Sequence, residues 1–157
     1  MKDYKLYLFS LIIIFSPILA TTQDSGDTIR KFLNQVNIDA VKANKTTPVA
    51  FTNISKDEIT KANIGQDITY IMSSTPSVVT TSDAGAGIGY TSLKIRGSDQ
   101  TRINVTINGI PINDSESQGV WWVNMPDLAS SIENIQIQRG VGTSTNGGSA
   151  FGATINL

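Results

Sequence analysis

Two arginines stand out as carriers of chemistry. Arg96 and Arg139 each close an alternating apolar–polar stretch, and each precedes a glycine. A guanidinium fixed at a strand end is a planar fork of donors suited to a carboxylate. Few acidic residues lie near either one in sequence, so the carboxylate partners are expected outside this chain. Asp114 and Glu116 are close enough in sequence for an acid/base pair. With no metal ligand, no nucleophile–base pair and no second carboxylate cluster to work with, they read as solvated loop charges. Trp121 and Trp122 are adjacent, so one must face away from the core, either as a contact surface beside a polar loop or against a surrounding wall. Gly85-Ala86-Gly87-Ile88-Gly89-Tyr90 resembles a dinucleotide loop only superficially. Its third glycine falls one residue early, Tyr90 fills the required place, and no acidic residue follows at the needed distance, so it reads as a surface loop.

Composition removes further classes. The 157 residues contain no histidine and no cysteine, which excludes His-based metal sites and both Ser-His-Asp and Cys-His nucleophiles. Twelve basic residues against thirteen acidic ones leave a net charge of −1, and like charges never run beyond pairs. Nothing here would attract nucleic acid, and no cofactor is implied.

The elements that must position these residues follow from periodicity. Lys2 and Lys5, the apolar run Leu6 to Phe15 and the break at Ser16-Pro17 ending on Ala20 form a secretory signal peptide over 1–20. Residues 21–47 form a flexible leader, within which Gln35-Val36-Asn37-Ile38-Asp39-Ala40-Val41 alternates at period two and reads as an extended segment. Pro48 to Ile54 is a second strand candidate. Ser55-Lys56-Asp57-Glu58 is a capping box flanked by Ile54 and Ile59 at the staple positions. The helix it opens should end between Asn63 and Gly65. A second helix is expected over Asp67 to Ser73, with Ile68, Ile71 and Met72 on one face.

Thr80 to Thr91 reads as a long surface loop and Leu93 to Arg96 as a strand closing on Gly97. Ile103 to Ile107, Asn108-Gly109 and Ile110 to Ile112 form a hairpin with a type I′ turn. Asn113 to Val123 is a second polar loop, and Pro126 to Ile132 a short helical turn. Glu133 to Gly140 is a strand, followed by a Gly/Ser/Thr loop and a last strand, Thr154 to Leu157, for which the sequence offers no evident partner. Strands and helices interleave without a steady βαβ rhythm, so the fold class is α+β, a small mixed sheet with short helices.

Four anchors in order, Ile95-Arg96-Gly97, Ile107-Asn108-Gly109-Ile110-Pro111, Ile135-Gln136-Ile137-Gln138-Arg139-Gly140 and Gly147 to Leu157, carry a resemblance to the N-terminal plug domain of TonB-dependent outer-membrane receptors. The resemblance covers about Gln35 to Leu157 and places the plug domain at 48–157. It implies a small mixed sheet housed inside a large β-barrel that follows in the same polypeptide. Gln35, Val36, Asn37, Ile38, Asp39, Ala40 and Val41 then stand where the family carries its TonB box, which pairs with periplasmic TonB by strand addition. The segment departs from the family pattern in lacking an acidic-Thr start. Ser82, Asp83, Tyr90, Asp114, Glu116, Trp121 and Trp122 fall in loops that meet the ligand, and Arg96 and Arg139 match plug arginines that lock onto barrel glutamates.

The barrel itself is expected to be missing. About 22 strands of about 9–11 residues each need more residues than this sequence has, so the chain reads as a receptor fragment or a plug-only product. The function implied is that of a gate in active uptake of a scarce small ligand such as a ferric siderophore, haem or cobalamin, at the outer membrane facing the periplasm. The alternative is a free periplasmic binding or signalling module with the same fold. An enzyme is not implied.

Overall fold

The computed structural model describes residues 41–142, 146–147 and 149–157. The expected signal peptide, and all of the extended segment Gln35 to Val41 except Val41 itself, lie outside these residues.

Strand β1 (Ala50–Ser55) leads directly into helix α1 (Lys56–Ala62). The Glu58 carboxylate accepts from both the Ser55 N–H and the Ser55 hydroxyl at 2.7 Å, so the expected capping interaction holds the chain where strand becomes helix. These two bonds, the backbone one foremost, hold the Glu58 carboxyl below the usual carboxylate range. Helix α1 stops at Asn63, whose cap conformation is extended; the left-handed residue expected here is Gly65, at φ +88°. Helix α2 (Ile68–Met72) follows, with Ile68, Ile71 and Met72 buried as the periodicity requires.

The reading of Thr80 to Thr91 as one long loop is corrected. Strand β2 (Val78–Ser82) pairs antiparallel with β3 (Thr91–Ile95), leaving a loop of only 83–90. The run of Thr80, Thr81 and Ser82 looked like loop composition, but threonine is β-branched and suits a half-exposed strand. Arg96 also moves. It lies beyond β3 in a two-residue turn with Gly97, at φ +53° and +79°, and Ile95 and Ser98 exchange backbone hydrogen bonds across it.

Strands β4 (Ile103–Ile107) and β5 (Ile110–Pro111) form the expected hairpin, with Asn108 and Gly109 both at positive φ and Pro111 on the sheet edge. After the short helix α3 (Leu128–Ser131) come β6 (Asn134–Arg139) and β7 (Ala153–Asn156). The main sheet is ordered β1-β6-β7-β4-β5. The last strand therefore does have partners: β7 pairs antiparallel with β6 and parallel with β4 at the centre of the sheet. Both partners are remote in sequence, and a parallel neighbour in particular leaves no local turn signal.

Strict alternation gives this sheet two different faces. In register across β6, β7 and β4 stand Ile137, Ile155 and Val105 on one side. This face packs with Ile59, Ile68, Met72, Leu93, Ile95 and Trp122 into one core cluster. Burial of each such aliphatic side chain stabilises the fold by about 1.5–3 kcal/mol. The other face carries Gln138, Thr154 and Asn104 in one row and Gln136, Asn156 and Thr106 in the next. Alternation normally turns polar residues to water, yet none of these six is more than 3% exposed. Ile155, fully buried in the central strand, sets the scale of the apolar face: Ile155→Ala is expected to destabilise the domain by about 3 kcal/mol, read as a lowered midpoint with unchanged slope in urea unfolding.

Candidate functional site

One end of the main sheet is marked by Arg139, Ala153 and Ile103, neighbours in register. The turn at Arg96, the loop following Arg139 and the loop following β5 all gather there. Arg139 lies at the last position of β6 and donates from Nη1 to the Pro76 carbonyl at 3.2 Å. The Arg96 N–H donates to the next carbonyl, that of Ser77, at 2.9 Å. The Arg96 guanidinium lies against Gly140: a β-carbon added there would sit 3.0 Å from its Nη1. Gly140 also has φ +107°, a backbone conformation that calls for glycine. The two guanidinium groups predicted from the Arg-Gly pattern are thus brought to one corner. Among the described residues the ion pair formed is Lys56–Glu133 at 3.9 Å, and neither arginine has a carboxylate partner. The Nε of Arg139 is buried without a hydrogen-bond partner. A non-glycine residue at positive φ, as Arg96 is, carries backbone strain of about 1–3 kcal/mol.

The expected ligand-loop residues divide. Asp83, Tyr90, Trp121 and Trp122 line one depression of about 190 Å³, together with Thr91, Gln100 and Val120. Asp114 lines a neighbouring one of about 290 Å³ that shares Trp121. Ser82 belongs to β2, and its hydroxyl accepts from the Gly87 N–H at 3.3 Å, so it shapes the 83–90 loop from within. Glu116 is exposed and contributes its N–H to the Asp114 carboxylate at 3.2 Å.

The tryptophans take opposite environments where the loop enters a short 3₁₀ turn (Trp122–Asn124) capped by Trp121. Trp122 is 2% exposed and belongs to the core, whereas Trp121 is 48% exposed between the two depressions. Asp114 accepts from the Ser117 N–H at 2.7 Å as well as from Glu116. The Ser117 bond is the main reason its carboxyl lies below the usual range. Its role is to close the 114–118 turn, as aspartate does in an Asx-turn.

Two features escaped the sequence reading. Asp67 is buried beneath the 83–90 loop. Its carboxylate accepts from the Thr91 hydroxyl at 2.7 Å, and its N–H donates to the Gly87 carbonyl at 2.8 Å. Gly87, at φ +77°, packs against the Tyr70 ring so closely that a β-carbon would lie 3.1 Å from it. A third depression, of about 600 Å³, lies between Arg102, Gln118 and Phe151. An exposed phenylalanine in a Gly/Ser/Thr loop was its one signal, and it was read only as part of an anchor. Among the described residues no three Asp or Glu side chains converge as metal ligands.

Fold and site together define a small mixed-sheet α+β domain whose two carboxylate-free arginines share one corner, while the 83–90 loop leaves the β2–β3 pair at the end opposite Arg96. A family model, the TonB-dependent Receptor Plug Domain, matches residues 43–154, and the chain belongs to that family. No curated protein matches the chain in sequence. Among solved structures it is similar in fold to the siderophore receptor PirA from Acinetobacter baumannii, at 24% identity and a TM-score of 0.53, over 68% of this chain and 16% of that one. It is also similar to FpvA of P. aeruginosa, solved bound to heterologous pyoverdines, at 21% identity and 0.54, covering 71% and 14%. The copper transporter OprC matches at 14% identity and 0.54, covering 73% and 18%. The chain thus spans less than a fifth of the length of each of these structures.

Two outcomes test the geometry. Trp122→Ala is expected to cost about 3–5 kcal/mol in urea unfolding, and Trp121→Ala under about 1 kcal/mol. The depressed carboxyl of Asp114 gives the 114–118 turn a stabilisation that is complete above the pKa of an unfolded aspartate. It is lost as pH falls through the lower, folded value. An NMR titration should place the Asp114 midpoint below that of an ordinary exposed aspartate, with the Ser117 amide shift following the same midpoint.

Proposed function

We propose that this domain is the gate of an outer-membrane transporter, lodged in a β-barrel supplied by the same polypeptide and opened from the periplasm by TonB. The observation that carries the reading is the corner holding Arg96 and Arg139. A free soluble domain gains nothing from a strained, exposed arginine beside a second one without a carboxylate. Inside a barrel, each guanidinium can meet a wall glutamate in a fork-to-fork ion pair. Family membership over 43–154 supports the same placement.

In this reading the signal peptide over 1–20 exports the chain, and Gln35 to Val41 is the segment that TonB takes up as an added strand. Asp83, Tyr90, Asp114 and Trp121, with Glu116 at the rim, meet the ligand, and Trp122 supports them from the core. The ligand class is a small metal chelate. Its support is the kind of protein with which the fold is shared: a siderophore receptor, a pyoverdine-bound receptor and a copper transporter. The domain itself performs no bond chemistry; it binds, blocks and yields.

Deleting residues 35–41 from the receptor that carries this domain is expected to abolish energised uptake of the chelate while leaving its equilibrium binding unchanged. Uptake that persists at the wild-type rate would defeat the gating reading.

A further inference from the structure

The polar face of the main sheet is buried, and part of its cover is specific. The backbone of Val41 to Ala43 lies across it, held by side-chain amides. The Gln136 Nε2 donates to the Ala43 carbonyl at 2.9 Å, and the Gln136 Oε1 accepts from the Ala43 N–H at 2.6 Å. Two residues along β6, the Gln138 Nε2 donates to the Val41 carbonyl at 2.9 Å, and Asn156 from β7 reaches the same carbonyl at 3.3 Å. Lys42, between them, donates to Asn134 Oδ1 at 2.5 Å. Main-chain groups are being read here by side chains, as a strand partner would read them, from above the sheet and not from its edge.

The amides are also bonded to one another in series. Asn146 Nδ2 donates to Gln138 Oε1, Gln138 Nε2 to Gln136 Oε1, and Gln136 Nε2 to Asn53 Oδ1, each at 2.9 Å. Each glutamine Nε2 therefore serves both its neighbour in the series and a leader carbonyl, which fixes the orientation of the amide plane. Asn146 is 2% exposed and belongs to the loop at the Arg139 end of the sheet; Asn53 lies on β1. The ladder connects the loop end of the domain to the leader.

We infer that the amide ladder Asn146–Gln138–Gln136 is a catch. It holds residues 41–43 on the sheet through bonds that water can replace one at a time, while the isoleucine face beneath stays closed. Gln136 and Gln138 are positioning residues for the leader, and Asn146 sets their orientation from the loop side. This rests on the proposed gating only for its use: a pull on Gln35 to Val41 reaches this catch before it reaches β1. A hydrogen bond opens to water with little loss once its partner is solvated, whereas separating packed isoleucines exposes apolar surface. The catch is thus less costly to open than the isoleucine face beneath it.

Hydrogen exchange on the full chain tests the inference. Methionine matches glutamine in length and volume without its donors and acceptor, so Gln136→Met keeps the packing and removes the bonds. The Ala43 amide is expected to exchange at least tenfold faster in Gln136→Met, with the β6 and β7 amides of Ile137 and Ile155 unchanged. Asn146→Ala, which touches no leader atom directly, should speed Ala43 exchange severalfold through Gln138. Unaltered Ala43 exchange in Gln136→Met would overturn the catch, and so would equal acceleration of Ile137 and Ile155, because the amides would then belong to the fold as a whole. If Gln136→Met does not fold, Gln138→Met is read by the same criterion. An Asn146→Ala chain with wild-type exchange at Ala43 would remove the link to the loop. These outcomes stand apart from uptake: a receptor lacking 35–41 that still transports defeats the gating reading and leaves the exchange result in force.

Discussion

Everything in this domain depends on the obligation of buried polar groups to find partners. A sheet of strictly alternating strands can solve this by leaving its polar face in water. Here the face is covered, and Gln136, Gln138, Asn156 and Thr106 are satisfied by one another and by the backbone of Val41 to Ala43. The accounting does not close everywhere. Asn104 Nδ2 and Thr154 Oγ1, in register on the same face, are buried without partners, as is Asn146 Oδ1. The isoleucine face sets how firmly the domain stands; the amide face sets what may come away from it.

The arginine corner follows a different logic. Arg96 takes positive φ in the two-residue turn between Ile95 and Ser98, and its guanidinium lies against Gly140, itself at φ +107°. Strain persists where the surrounding structure over-determines it, and such places tend to be working surfaces. The 83–90 and 114–118 loops are fixed by polar contacts of short reach, Asp67 to Thr91 and Asp114 to Ser117. That gives Trp121 and Tyr90, both largely exposed, a rigid footing.

Much of this was legible in the residues. The capping interaction at Ser55, the amphipathic face of Ile68, Ile71 and Met72, the Asn108-Gly109 turn and the alternation of Glu133 to Arg139 are all local signals, and the structure keeps each of them. What was hidden is non-local. The central place of β7 rests on partners fourteen or more residues away, with no turn to announce them. Strand β2 was hidden because threonine and serine fit loops and exposed strands alike. At the site, the Arg-Gly repeat announced Arg96 and Arg139, and the aromatic pair announced Trp121. Asp67 carried no signal, because an N-cap aspartate is commonplace and only the tertiary fold lays a loop over it. The amide face was visible as alternation, but alternation does not say whether water or another chain segment lies above.

The order in which the sheet is threaded has its own consequence. Strand β1 needs β6, more than seventy residues later, and both β6 and β4 need β7, which comes after either. Only the β2–β3 and β4–β5 hairpins can form from near neighbours. A topology so rich in distant pairings folds slowly, because the loops must close before the contacts reward them. As the chain is synthesised, everything up to residue 152 emerges without the strand that completes its core. The five-stranded sheet can therefore close only once residues 153–156 have been made, so its assembly waits on a segment that comes after every other strand it joins.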